Sequence, residues 1–220
     1  GGRAHTLLLT MAGCVYAAGR NVYGQLGLGY SDDRHSLQKV ALSCVTQICC
    51  GNNHSIALTE YGELFGWGCN LGGQLGDRCS RSRFQASPMR IFPSGLGCVD
   101  IHIVQASAGH FHTVILSREG GVCLLGDGCP LAAASSDQTS TARVVHPELR
   151  AIGPLTEVCA GARHTIVADD AKPRRAVAWG AADDGQCGFV LHSDAPSAGA
   201  APAQDQSIEG FQMLPRRVPL

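Results

Sequence analysis

Histidine is the side chain best suited to acid–base or metal chemistry near neutral pH, and four histidines of this chain recur in one setting. Each follows a glycine by three residues: Gly2 and His5, Gly51 and His54, Gly109 and His112, Gly161 and His164. A catalytic group is needed once, whereas these histidines recur in every repeat. We therefore predict that they are structural and donate to backbone carbonyls to fasten a turn. No catalytic residue is assigned.

Other side chains offer weaker signals for chemistry. His110 lies two residues before His112, so both could project from one strand face, but the pair lacks a third metal ligand. Gly66 and Gly68 end a strand and do not open a helix, which argues against a phosphate-binding loop. Three aspartate pairs fall in predicted turns and are interpreted as solvated acids: Asp32-Asp33, Asp169-Asp170 and Asp183-Asp184. No cofactor or metal site is predicted.

The eleven cysteines form no Cys-x-x-Cys pair, so no zinc knuckle is indicated. Several occupy strand positions where small apolar residues belong, including Cys14, Cys123 and Cys159. We interpret them as buried free thiols in a reducing compartment and not as disulfides. No segment reaches membrane-spanning length, so we expect a nuclear or cytoplasmic protein without a membrane partner.

The charges of the chain nearly balance, with a net charge of −1 and a pI near 6.8. There is no global electrostatic reason to expect nucleic-acid binding, and no sequence-specific binding is predicted. Two loops are locally basic: Arg78, Arg81 and Arg83 in one, and Lys172, Arg174 and Arg175 in the other. We interpret both as solvated loops, although either could form a local basic patch.

The histidines belong to a longer repeat, which must position them. A second glycine follows the histidine by 14 residues in three copies and by 16 in the fourth: Gly19, Gly68, Gly126 and Gly180. Six residues later, three copies have a glutamine whose amide can satisfy loop backbone groups: Gln25, Gln74 and Gln186. Successive histidines are 49, 58 and 52 residues apart. A period of about 50 residues predicts a propeller or a similar array.

Within each copy, the residues after the histidine predict a β-hairpin. The apolar run from His54 to Thr59 is typical of a buried strand, the turn ends at Gly62, and Glu63 to Trp67 form the return strand. Outer strands are expected near 37–40, 88–91, 142–145 and 215–218, and inner strands near 44–50, 101–107 and 155–159. This spacing suits one four-stranded blade per repeat.

The repeat resembles that of the regulator of chromosome condensation family, which joins a Gly-x-x-His strand, a glycine turn, Trp-Gly, Asn and Gly-Gln-Leu-Gly. The second copy matches with Gly66-Trp67-Gly68, Asn70 and Gly73-Gln74-Leu75-Gly76. The first copy matches with Ala4-His5-Thr6, Asn21 and Gly24-Gln25-Leu26-Gly27. The resemblance covers nearly the whole chain and implies an all-β propeller of about seven blades.

Three departures from the family pattern affect the expected packing. Ala18 and Leu125 replace the aromatic residue in the first and third copies, so those blades should pack more lightly. The third copy lacks the Gly-Gln-Leu-Gly exit. The fourth copy has two extra turn residues within 169–174, so its hairpin tip should be longer.

The 220 residues supply about four repeats, near 2–27, 51–76, 109–131 and 161–188. We predict that residues 1–220 form an open arc of about four four-stranded blades from a larger ring, with exposed apolar faces; a closed four-bladed ring is the alternative. Residues 215–218 also resemble the first strand of a further blade. Residues 192–206, rich in Ala, Pro and Ser, are predicted to form a flexible insertion between strands.

The resemblance implies a protein-interaction propeller. Its sharper form is guanine-nucleotide exchange on a Ran-type small GTPase with histone or chromatin association, which requires loops and no acid–base residues. The alternative is a scaffold or regulatory propeller without exchange activity inside a larger multidomain protein. A conventional enzyme is a third class, which a stoichiometric copurifying metal or cofactor would favour. The exchange contacts of the family cannot be aligned to this chain, so no exchange residue is assigned.

Overall fold

The computed structural model describes residues 1–76, 83–92, 101–126, 154–171, 175–181 and 187, and the backbone of 142–143 and 211–218. These residues form β-strands and no helix. The strands, in chain order, are β1 (His5–Leu9), β2 (Val15–Gly19), β3 (Arg34–Lys39), β4 (Val45–Cys50), β5 (His54–Thr59), β6 (Leu64–Cys69), β7 (Phe84–Ile91), β8 (Ile103–Ala108), β9 (His112–Ser117), β10 (Val122–Gly126), β11 (Ala142–Arg143), β12 (Glu157–Ala160), β13 (His164–Ala168), β14 (Ala176–Ala181) and β15 (Phe211–Val218).

The strands form four antiparallel sheets, each built from consecutive strands. The first sheet has three strands, β1 to β3, and the others have four: β4 to β7, β8 to β11 and β12 to β15. The inner strands β4, β8 and β12 pack side by side, and the described sheets do not close into a ring. The predicted all-β open arc is confirmed, with the difference that the first blade has three strands.

The last strand corrects one prediction. β15 pairs with β14 at the outer edge of the fourth sheet, with Val218 opposite Ala176. Residues 215–218 therefore complete the fourth blade and do not begin a further one. The other inner and outer strands overlap their predicted ranges. The insertion predicted at 192–206 lies outside the described residues.

The first three hairpins turn at a glycine in the left-handed region, as the repeat predicted. Gly13, Gly62 and Gly120 have φ values of 72°, 74° and 76°. In the second hairpin, the Gly62 N–H donates to the Thr59 carbonyl at 3.0 Å. Glycine is favoured here because it adopts positive φ at little steric cost.

Three apolar cores fill the spaces between adjacent sheets. β5 and β9 are buried along their whole length, because each is covered on both faces. β1 alternates between buried and exposed residues, and its Leu8 is 43% exposed, as expected for a terminal blade. Leu125 is fully buried despite replacing an aromatic residue, whereas Ala18 is only half-buried.

Glutamine side chains join the inner strands of neighbouring blades. Gln47 of β4 binds the backbone of Ala106 in β8 through both amide atoms, donating at 3.0 Å and accepting at 3.2 Å. Gln105 of β8 likewise accepts the Val158 N–H of β12 at 3.0 Å. These contacts satisfy backbone groups at strand edges that would otherwise lack a ladder partner.

Candidate functional site

The Gly-x-x-His loops have the same geometry in all four blades. The glycine N–H donates to the histidine carbonyl at 2.8 Å in the first loop and at 2.9 Å in the other three. A Cβ added to Gly51 would overlap both the His54 ring and the Gly109 carbonyl of the next blade. The three-residue spacing is therefore a steric requirement, because each imidazole ring packs directly on its glycine.

Each buried histidine binds a hydroxyl of the next blade. The Nε2 atoms of His5, His54 and His112 lie 2.9, 3.1 and 3.1 Å from the hydroxyl oxygens of Ser55, Thr113 and Thr165. The Ser55 hydroxyl donates to the Gln25 carbonyl at 2.8 Å, and the Thr113 hydroxyl donates to the Gln74 carbonyl at 2.9 Å. Since these hydroxyls already donate, their oxygens accept from the imidazole, which places the proton on Nε2.

The environment of these histidines keeps them neutral. Burial lowers the pKa of His54 from 6.5 to about 3, and the pKa values of His5 and His112 to about 4. A buried neutral ring whose N–H is engaged suits a structural role. For His5 and His54 the predicted acceptor was wrong, because each ring donates to a hydroxyl of the next blade and not to a backbone carbonyl. His112 also interacts with the backbone of His164.

The repeat glutamines satisfy loop backbone groups, as predicted. Gln25 Oε1 accepts the Tyr23 N–H and Gln74 Oε1 accepts the Gly72 N–H, both at 2.9 Å. The Gln25 carbonyl also accepts the Trp67 indole N–H of the next blade at 2.9 Å. Gln186 lies outside the described residues.

The second tryptophan has no equivalent bond to a described residue. Trp179 is 1% exposed, and its Nε1 has no hydrogen-bond partner among the described residues. The residue that would correspond to Gln25 falls in the third exit, where the sequence departs from Gly-Gln-Leu-Gly. Residues 127–141 of that exit lie outside the described part of the chain.

His110 and His112 do not form a pair on one strand face, which corrects that expectation. His112 is buried at the start of β9, whereas His110 is exposed in the preceding loop and packs edge-on against Phe111, with ring centroids 6.2 Å apart. Among the described residues, no group of three His, Cys, Asp or Glu side chains is arranged to hold a metal ion.

The aspartate pairs behave differently from one another. Asp32 is exposed and Asp33 accepts the Asn21 N–H at 2.7 Å, so these are turn acids. Asp169 is 1% exposed and binds the Arg175 guanidinium through Nη2 at 2.6 Å and Nε at 2.7 Å. Although burial raises the pKa of Asp169, the hydrogen bonds and charge of Arg175 lower it overall. The prediction of solvated residues was wrong for Asp169 and Arg175, which fasten the fourth hairpin.

The remaining polar predictions have mixed outcomes. Eight cysteines lie in the described part of the chain, and no two of them form a disulfide. Cys123 is buried as predicted, but Cys14 is only half-buried and Cys159 is exposed, so the predicted burial was wrong for Cys159. Arg83 is exposed, and Arg78, Arg81, Lys172, Arg174 and the pair Asp183-Asp184 lie outside the described residues. No described helix is long and apolar enough to cross a membrane.

The four Gly-x-x-His loops converge on one depression, which is the candidate interaction site. It has a volume of about 640 Å³, and each loop contributes its glycine and the residue after it. The residues after the glycines are Arg3, Asn52, His110 and Ala162. Backbone N–H groups link them in order around the axis, from Arg3 to Asn52 at 3.2 Å, Asn52 to His110 at 3.2 Å and His110 to Ala162 at 2.8 Å.

The exit loops begin at the same end of the blades as this depression. β5 and β6 pair with His54 opposite Gly68, so the Gly-x-x-His loops and the exit loops lie at the same end of every blade. We call this end the loop face, and the opposite end, formed by the hairpin turns, the hairpin face.

The sequence matches known family models over its first half. The model described as Regulator of chromosome condensation (RCC1) repeat matches residues 12–58 and 61–116, and a second model with that description matches 45–74. Residues 12–116 therefore match RCC1-type repeats. Beyond residue 116, where these matches end, the fourth copy forms the same loop, with the Gly161 N–H bound to the His164 carbonyl at 2.9 Å.

Several known proteins that are similar to this chain are longer than it is. The ultraviolet-B receptor UVR8 of Arabidopsis thaliana is 36% identical over 131 residues, or 58% of this chain and 28% of UVR8. The human probable E3 ubiquitin-protein ligase HERC4 is 32% identical over 171 residues, or 74% of this chain and 15% of HERC4. The structure of Prp20p from Saccharomyces cerevisiae superposes with a TM-score of 0.72 at 21% identity, covering 100% of this chain and 49% of Prp20p. The chain thus spans about half of Prp20p and less of the two relatives.

Proposed function

We propose that this RCC1-type arc is a protein-interaction module that binds its partner through the loop face. The observation that carries this proposal is that only some residues of each Gly-x-x-His loop are needed by the fold. The glycine and histidine are used by the fold, whereas the residue between them that borders the depression differs from blade to blade: Arg3, Asn52, His110 and Ala162. Side chains that the fold does not constrain are free to provide specificity.

The finer proposal is guanine-nucleotide exchange on a Ran-type GTPase, with histone association. It is supported by the fold likeness to Prp20p, whose structure is described together with its binding to Gsp1p and histones. The competing proposal is a scaffold within a longer protein, supported by the small share of HERC4 that the chain matches. Fold does not separate these functions.

Measuring the release of labelled GDP from a Ran-type GTPase distinguishes the exchange factor from the scaffold. The full-length protein that contains this chain should be used, because an isolated arc exposes apolar surface such as Leu8. Faster release establishes exchange. A stable complex without faster release establishes the scaffold, and a folded protein that neither binds nor accelerates contradicts the GTPase as its partner.

We also propose a nuclear or cytoplasmic location, because all described cysteines are free thiols. Imaging of the tagged full-length protein tests this proposal, and a signal confined to a secretory compartment would contradict it.

A further inference from the structure

In the part of the chain that the structure describes, the loop face is more positive than the hairpin face. Among the described residues, the loop face has five cations and two acids, a net charge of +3: Arg3, Arg20, Arg34, Arg83 and Arg163, with Asp32 and Asp33. By backbone register, the hairpin face has six cations and six acids, a net charge of 0: Lys39, Arg90, Arg118, Arg143, Arg175 and Arg217, with Glu60, Glu63, Glu119, Glu157, Asp169 and Asp170.

The cations of the two faces also differ in their pairing. On the hairpin face, Arg90 binds Glu63 at 3.1 Å and Arg175 binds Asp169 at 2.6 Å. On the loop face, Arg34 lies 4.0 Å from Asp32. Arg3 and Arg163 form no ion pair with a described residue, and both are exposed in Gly-x-x-His loops. Arg3 borders the depression. Among the described residues, no acidic side chain lines the depression beside Arg3.

Exposed apolar side chains accompany these cations. Val22 and Leu71, which follow the repeat asparagines of the first two exit loops, are 49% and 57% exposed, and Phe111 is 42% exposed. The Phe111 carbonyl and the Gln74 Cα both pack against Gly126, so Phe111 lies beside the exit loop that carries Leu71. The loop face thus combines unpaired positive charge with apolar anchors from neighbouring blades.

We propose that the loop face binds an acidic protein segment that also carries apolar side chains. This inference rests on the proposed protein-binding function and specifies the chemistry of the partner. Acidic side chains complement Arg3 and Arg163, and apolar ones cover Leu71 and Phe111, as at interfaces where aromatic anchors lie within a charged rim. Nucleic acid fits less well, because its affinity comes mainly from many phosphate contacts, to which the apolar anchors add little.

A labelled peptide tests this assignment on the full-length protein. The probe is a short fluorescein-labelled peptide of Glu-Asp pairs separated by single Leu residues, and its control has Lys in place of each acid. We expect only the acidic peptide to bind, with affinity that falls as salt rises. Arg163→Glu and Leu71→Ser should each weaken binding about fivefold to tenfold. Circular dichroism and urea midpoints confirm that the variants fold.

Matched substitutions on the hairpin face provide the controls. Lys39→Glu repeats the charge reversal, and Met11→Ser repeats the apolar truncation, at residues that are also exposed. Both should change affinity by less than about twofold. The proposal is wrong if these controls weaken binding as much, if the lysine peptide binds equally, or if a single-stranded oligonucleotide binds more tightly than the acidic peptide.

A GTPase pull-down distinguishes failure of the loop-face assignment from failure of the proposed protein-binding function. A complex that forms equally with wild type and Arg163→Glu, without peptide binding, refutes the loop-face assignment but supports a protein-binding propeller. A folded protein that binds neither the peptide nor the GTPase refutes the assignment and the proposed GTPase partner together.

Discussion

Thr113→Val removes one hydroxyl that serves two buried partners in different blades. Thr113 is fully buried, accepts from His54 Nε2 at 3.1 Å and donates to the Gln74 carbonyl at 2.9 Å. Valine keeps the shape of the side chain, so the loss is almost entirely polar. Each buried group left without its partner costs about 1–3 kcal/mol. We therefore expect the free energy of unfolding to fall by about 2–6 kcal/mol, a large share of the stability of a typical domain.

Urea denaturation followed by circular dichroism measures this change, with Thr113→Ser as the matched control. Serine keeps the hydroxyl and loses one methyl, so it should cost roughly 1 kcal/mol. Ser55→Ala gives a second comparison, because the Gln25 carbonyl still accepts the Trp67 indole N–H at 2.9 Å and only His5 loses its partner. The reasoning is refuted if Thr113→Val costs no more than Thr113→Ser, or if Ser55→Ala costs as much as Thr113→Val.

Three further predictions follow from the same loops. Burial lowers the pKa of His54 to about 3, so below pH 6.5 the unfolded state takes up protons that the folded state does not. The free energy of unfolding should thus decline from pH 7 towards pH 4 by up to about 1.4 kcal/mol per pH unit for each buried histidine. A urea midpoint that does not change with pH would contradict this. Trp67→Phe should cost about 1 kcal/mol more than Trp179→Phe, because only Trp67 loses a hydrogen bond to a described residue; equal urea midpoints would argue against it. Gly109→Ala forces a methyl into the His112 ring and the Gly161 carbonyl, so it should lower the free energy of unfolding by at least about 1–3 kcal/mol, and an unchanged melting temperature would exclude the clash.

The sequence predicted the fold well because each repeat encodes it locally. The spacing of Gly51, His54 and Gly62 sets a loop, a buried strand and a turn, and four copies in register predict four blades. The three strands of the first blade also agree with the sequence, because the inner strands expected near 44–50, 101–107 and 155–159 precede only the second, third and fourth histidines.

The side-chain contacts between blades were harder to predict. The acceptor of each histidine lies in the next blade, 50 residues away for His5 and Ser55, so nothing near His5 identifies it. One signal was available: a hydroxyl residue follows each histidine, at Thr6, Ser55, Thr113 and Thr165. The inter-blade glutamines also had a signal, since Gln47 and Gln105 both lie seven residues before a histidine. No sequence signal indicated the burial of Asp169, because a turn sequence does not reveal how the tip of the hairpin folds back.

The repeat explains why the loop face can vary without loss of stability. The backbone bonds that link Arg3, Asn52, His110 and Ala162 use only N–H and C=O groups, so they form whichever side chain is present. The adjacent glycines cannot vary, because an added Cβ overlaps an imidazole. Each loop therefore holds its backbone in place and leaves two side chains open to change. Each of the four loops places one of these side chains at the depression. We propose that a partner is selected by the four in combination and not by any single residue.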